Sequence, residues 1–312
     1  MLALLYLGLA ICVGERLCGR FYRFVSTSHR WATGALVGLL LSTGFTYLAA
    51  RHFANASNPL LWGDILFFAA ATIFLVSCPS KRDPSLIEPR APGSEKWTWI
   101  TLAIYTALVS WMMFAVLDFK GGTLLIGITQ WSDYGPNTAI VQSFALGHNF
   151  PAQYPHFAGE PIRYHFLFYF LAGNLEFLGL NLVWSLNLIS VLTLVCMLAL
   201  VVALGQLLFK SRAVGCVASW LFFFHGTLNL VPFLRRQTSF KGALQAIYGL
   251  RDYLTSGYPY RGEDWGIWTQ VVFINQRHLA SSIGVFGSSQ ERPPWALTDA
   301  VERGRRAQFG LC

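Results

Sequence analysis

Long apolar segments, with the charged residues confined to the stretches between them, constrain this chain more than any short motif does. A membrane crossing needs about 20 mainly apolar residues. Runs of that kind occupy 31–50, 60–78, 97–116, 182–208 and 213–234, and a shorter one fills 1–14. Lipid offers no partners to backbone N–H and C=O groups, so only helices or closed barrels cross it. These runs are too long and continuous for barrel strands. The predicted fold is therefore all-α: a polytopic membrane helical bundle with an external loop carrying juxtamembrane or interfacial helices. Composition agrees, because only 12% of residues are charged, against about 25% in a soluble domain.

The net charge of +8 does not point to nucleic acid. The basic residues lie between apolar segments, where they act as topology determinants. The six cysteines, Cys12, Cys18, Cys78, Cys196, Cys216 and Cys312, show no C-x-x-C spacing and sit mostly in apolar runs. They read as small buried hydrophobes. No basic residue precedes the first apolar run, and no convincing small-x-small cleavage site lies before Glu15. This predicts an uncleaved, short first span rather than a signal peptide.

Loop charge predicts the orientation. Segment 15–30 carries Arg16, Arg20, Arg23 and Arg30, and segment 79–96 carries Lys81, Arg82, Arg90 and Lys96. Segment 51–59 carries only Arg51, and 117–163 only Lys120 and Arg163. The first two are expected in the cytoplasm, and the last two and the N-terminus outside. The chain thus reads as a multi-pass protein of the plasma or inner membrane. If 164–181 crossed, Lys210 and Arg212 would fall outside. As an aromatic-rich helix at the outer interface it leaves them cytoplasmic.

Four regions follow. Residues 1–96 hold the N-terminal spans and basic loops. Residues 97–235 form a core of three spans with the loop and interfacial helix 117–181. Residues 236–286 are polar and aromatic and end in the start of an apolar run. That run, from His278, stops after about eight residues. The polar tail 287–312 differs in composition, as if a span had been cut short.

The chemistry-bearing residues collect in the predicted external loop. Asp133 stands in Trp131-Ser-Asp-Tyr-Gly-Pro136. One reading makes it a helix start before a helix over about 136–145. The other makes it a general base, a poorly solvated carboxylate able to take a proton from an acceptor hydroxyl. His148, His156, Glu160, Arg163 and His165 follow. Glu160 and Arg163 can form a plain surface ion pair. Arg163, at headgroup level, can equally grip a phosphate through its guanidinium fork. By residue type, Asp133, His156, Glu160 and His165 can hold a divalent metal, although their spacing matches no closed zinc pattern. Asn275-Gln276-Arg277-His278 offers a second phosphate or sugar contact. No P-loop, GxGxxG, GxSxG or HExxH motif competes.

The order Trp131-Ser132-Asp133-Tyr134, a Pro-rich bend, Glu160-Pro161-Ile162-Arg163-Tyr164-His165, an apolar helix and then a long span ending Leu204-Gly-Gln-Leu-Leu-Phe-Lys210 resembles the GT-C membrane glycosyltransferases. It is most similar to their polyprenyl-phosphate-sugar mannosyltransferase group, over roughly 97–235. The resemblance implies a polyprenyl-phosphate-linked sugar donor and a lipid, glycan or protein acceptor on the external face. It also implies catalysis by Asp133, with Arg163, His165 and Glu160, and more weakly Arg277 and His278, at the donor phosphate or sugar. Many relatives carry two adjacent acids where this chain has Ser132-Asp133, and they have more spans after the loop. A non-catalytic or truncated membrane protein is the alternative. A transporter is a weaker one, since ionisable residues are scarce inside the runs, apart from Asp64.

Overall fold

The computed structural model describes residues 1–22, 24–78, 95–127, 131–157, 159–225, 234–249 and 268–290. Within them the chain is almost entirely helical, an all-α bundle. Five helices are long and apolar enough to cross a membrane: α1 (Leu2–Phe21), α2 (Thr27–His52), α3 (Pro59–Ser77), α4 (Lys96–Val116) and α7 (Leu182–Phe209). Between α4 and α7 lie a hairpin, β1 (Leu117–Lys120) with β2 (Thr123–Ile126), and the helices α5 (Trp131–Ala145) and α6 (Leu167–Phe177). After α7 come α8 (Arg212–Phe223), α9 (Phe240–Gly249), α10 (Trp268–Asn275) and α11 (His278–Gln290).

The sequence expectations meet this fold unevenly. The first helix runs past residue 14 to Phe21, because its polar end finds partners inside the protein. Glu15 forms an ion pair with Arg30 of α2, and Arg16 donates to the carbonyls of Leu75 and Cys78 at the end of α3. The expected span 213–234 is described as a helix only for Arg212–Phe223, and 226–233 fall outside the described residues. The apolar run from His278 extends to Gln290 as α11, whereas most of the tail 287–312 lies outside them. The helix expected at the interface, α6, has 11 residues, too few to cross, and it is wrapped by protein: Phe168 to Leu175 are all buried. Its aromatic residues face α5, α7 and α2.

Two ends of the bundle can be distinguished by their bonds. At one end the ties Glu15–Arg30, Arg16–Leu75 and Thr27 N–H to Glu95 Oε1 gather the end of α1, the start of α2, the end of α3 and the start of α4. This is the basic end. At the far end Asn187 Nδ2, near the start of α7, donates to Leu117 O at 3.0 Å. The hairpin, α5, α6 and the loop between them all belong to that far end.

α1 and α2 pack backbone to backbone. A Cβ on Gly34 would lie 2.6 Å from the Cα of Glu15, and one on Gly14 or Gly38 would meet main chain of the facing helix. Small residues let membrane helices approach in this way, where apolar burial gives little drive between them. The hub is α7, packed against α2, α4, α6, α8 and α11. Asn181 caps it by accepting from Trp184 N at 2.8 Å, which satisfies one of the free amides of a helix start.

Candidate functional site

The loop before α6 is organised by one asparagine. Asn149 donates to Ser143 Oγ at 3.0 Å and to Gln153 O at 2.7 Å, and accepts from Gln153 N at 2.8 Å. A short antiparallel contact, Gln153 with Pro161, then brings the chain back towards α6. His156, Glu160 and Arg163 project from this small fold and are exposed. Arg163 and Glu160 approach to 3.7 Å, both largely in solvent. An ion pair of that kind contributes about 0–1 kcal/mol.

Asp133 occupies the first turn of α5 rather than a cap before residue 136. Its carboxylate is half-buried and accepts from Gln276 Nε2 at 3.2 Å. The hydroxyls of Tyr134, Tyr164 and Tyr169 all lie within reach of its charge. Burial raises all three phenols above their ordinary range, so they stay protonated and can donate.

Arg277 is not at a surface. It is 2% exposed and sits between α10 and α11. Its Nε donates to Tyr134 Oη at 2.5 Å, one terminal nitrogen to Asn187 Oδ1 and at 3.5 Å to Ser190 Oγ, and the other to Met113 O at 3.4 Å. The guanidinium also lies 4.9 Å from the centre of the Tyr134 ring. Tyr134 in turn donates to Ile274 O at 2.9 Å. Its donors face protein acceptors, so the direct phosphate contact expected of Arg277 is not available in this arrangement. It ties α4, α5, α7 and the α10–α11 break together and places a buried positive charge close to Tyr134 and Tyr169.

His165 and His278 meet. Their ring centres are 3.3 Å apart, with 30° between the planes. His278 is 7% exposed and its Nδ1 has no partner among the described residues. Burial, with His165 beside it, pushes the His278 imidazole down to about 4, and burial also lowers His165. Both rings are therefore neutral at neutral pH.

This pair stands over a cavity of about 490 Å³. Leu36, Leu39 and Leu40 of α2, Phe168 and Leu171 of α6 and Val285 of α11 form its apolar wall. Tyr164, His165 and His278 give it polar groups at the far end, while Ser281 and Ser282 bond back to the His278 carbonyl. Gly284 lets α11 approach α2, since a Cβ there would meet Leu36. Neither Arg163 nor Asp133 lines the cavity.

The site residues thus divide. The structure brings Asp133, His165, Arg277 and His278 to one end of the bundle and leaves Glu160, Arg163 and His156 on the loop surface. Among the described residues no three His, Cys, Asp or Glu side chains gather as metal ligands. The expected set of Asp133, His156, Glu160 and His165 does not converge, because the loop fold turns His156 and Glu160 outward. Tyr134, Tyr164, Tyr169 and Asn187 were not anticipated. Tyr134, beside Asp133, and the aromatic residues around His165 were the available signals. No known protein family, curated protein or solved structure matches the chain.

Proposed function

We propose that this chain is a membrane glycosyltransferase that moves a sugar from a polyprenyl-phosphate donor to an acceptor at the far, external end of the bundle. The observation that supports this reading best is the cavity. It is an apolar space of about 490 Å³, walled by α2, α6 and α11 and carrying polar rings at the end nearest Asp133. An amphiphile with a long hydrocarbon tail and a compact polar head matches that division.

In this reading the tail lies along Leu36, Leu39, Leu40 and Val285, and the head reaches Tyr164, His165 and His278. The acceptor hydroxyl attacks the anomeric carbon as the bond from that carbon to the phosphate oxygen breaks. Asp133 takes the hydroxyl proton. The electron pair leaves with the phosphate, stabilised by Tyr164, the imidazole N–H groups and the buried charge of Arg277. Among the described residues Arg163 is held only by its exposed pair with Glu160, and it can swing towards a headgroup. The asymmetry of loop charge supports an external position for this end, with the basic end in the cytoplasm.

The test is label transfer from a panel of polyprenyl-phosphate sugars, with wild type beside Asp133→Asn in membranes. Transfer that depends on Asp133 supports the reading. Transfer retained in Asp133→Asn removes Asp133 from the mechanism. No transfer from a folded protein favours a lipid-handling role for the same cavity.

A further inference from the structure

Asp64 and Asn174 present a buried contact that the proposed reaction does not use. Asp64 lies in the first half of α3 and is 2% exposed, and Asn174 of α6 is 0% exposed. Asn174 Nδ2 donates to Asp64 Oδ1 at 2.9 Å. That leaves two oxygens, Asp64 Oδ2 and Asn174 Oδ1, buried and without a partner among the described residues. Each of the two joined head groups therefore keeps one acceptor oxygen without a donor.

A carboxylate in such a place is costly. An isolated charge loses its hydration on burial and needs a counter-ion or several donors. Among the described residues no Lys, Arg or His pairs with Asp64. The titratable group facing it from the packed helices is the Tyr6 phenol of α1, which is bonded to Thr46 Oγ1 at 2.9 Å. From α2 the nearby groups are Ser42 and Thr46, which are neutral. One hydrogen resolves both orphans. Placed on Asp64 Oδ2, it makes a donor for Asn174 Oδ1, and acid and amide then exchange two hydrogen bonds in a closed ring. A metal cation would need several more oxygen ligands than these two.

We propose that Asp64 and Asn174 form a proton-binding site inside the bundle, an acid–amide pair that latches α6 to α3 only while Asp64 carries its proton. The consequence reaches the cavity. Phe168 and Leu171, on the same helix as Asn174, form part of its wall, and His165 lies just before that helix. Loss of the proton sets a carboxylate oxygen against an amide oxygen in an apolar setting, and the pair separates. α6 then loosens and the cavity wall moves with it. Intramembrane ionisable residues commonly mark such functional points.

Infrared spectroscopy of the full chain in lipid nanodiscs tests the site directly. With aspartate 13C-labelled at its side-chain carboxyl, the wild type at neutral pH is expected to show a label-sensitive stretch of a protonated carboxyl. That band should exchange slowly in D2O and be missing from Asp64→Asn. Asn174→Leu should move it to higher frequency, because the acid carbonyl loses its donor. Only ionised-carboxylate bands in the wild type would overturn the proposal, whether or not either variant folds. The latch is read by thiol labelling of Leu171→Cys in a cysteine-free background. Labelling is expected to rise with pH more steeply with Asp64 than with Asp64→Asn, whose amide mimics the acid. An unchanged ratio across the pH range sinks the latch.

Discussion

The imidazoles of His165 and His278 meet at a tilt of 30° with centres 3.3 Å apart, joining the loop before α6 to the first residue of α11. Buried, and without a partner at Nδ1 among the described residues, His278 resists protonation. Its folded-state value is about 4, below the ordinary histidine value of about 6.5. As pH falls, the unfolded chain takes up the proton first. Stability contributed by neutral His278 is therefore full above about pH 6.5 and is lost as pH falls towards about 4. Histidine-selective NMR should place the His278 titration well below the ordinary histidine value. Thermal melts should lose part of their acid sensitivity in His278→Gln. A His278 midpoint at the ordinary value would remove the basis for a neutral pair.

The two arginines assigned to phosphate by resemblance should behave in opposite ways. Arg277→Ala strips donors from Tyr134, Asn187 and Met113 O. Each buried acceptor left without a donor costs about 1–3 kcal/mol. Arg277→Lys should recover little, since one ammonium cannot reach the acceptors that the planar guanidinium spans. Arg163→Ala removes only an exposed pair with Glu160, and stability should change by no more than about 0.5 kcal/mol. Thermal unfolding in detergent compares them. Equal losses for the two would mean that Arg277 is not embedded as described.

Close approach of α1 and α2 predicts a sharp contrast between glycines. Gly38→Leu would drive a side chain into the main chain at Ala10. Overpacking of this kind costs about 1–3 kcal/mol or more, and loss of monodisperse protein in gel filtration is the expected sign. Gly44 sits on the same helix with nothing within 4 Å of its missing Cβ. Gly44→Ala should therefore be neutral or stabilising by up to about 1 kcal/mol, the helix preference of alanine over glycine.

How much of this was legible depended on range along the chain. The bodies of α2, α3, α4 and α7 could be read because a bilayer demands one long apolar run per crossing. The end of α1 could not, because Glu15 and Arg16 look like a loop until Arg30 and the α3 carbonyls are placed beside them. Lys120-Gly121-Gly122-Thr123 is an ordinary hairpin turn signal, yet the β1–β2 pair was missed in favour of a loop carrying helices alone. The burial of α6 was not, since aromatic residues suit a headgroup layer and a protein interior equally. Asp133 and His165 were singled out from local pattern. Their neighbours Gln276 and His278 come from a segment far along the chain, and no spacing rule joins such segments. The same distance hid that Arg277 bonds to Tyr134 rather than to a ligand.

The orientation inferred from loop charge is checked by labelling at the two ends of the bundle. Glu160 is exposed on the far-end loop, and Arg20 is exposed near the end of α1 at the basic end. In a cysteine-free background, Glu160→Cys in intact cells should react with a membrane-impermeant maleimide. Arg20→Cys should react only after permeabilisation. Neither change touches the buried network around Arg277, so both proteins should insert normally. The reverse pattern would place Asp133 and the His165–His278 pair on the cytoplasmic side. The donor would then have to be drawn from the inner leaflet, and the acceptor could not be an external glycan or protein. Reaction of both before permeabilisation would mean that the basic end does not stay inside, and positive-inside counting would fail for this chain.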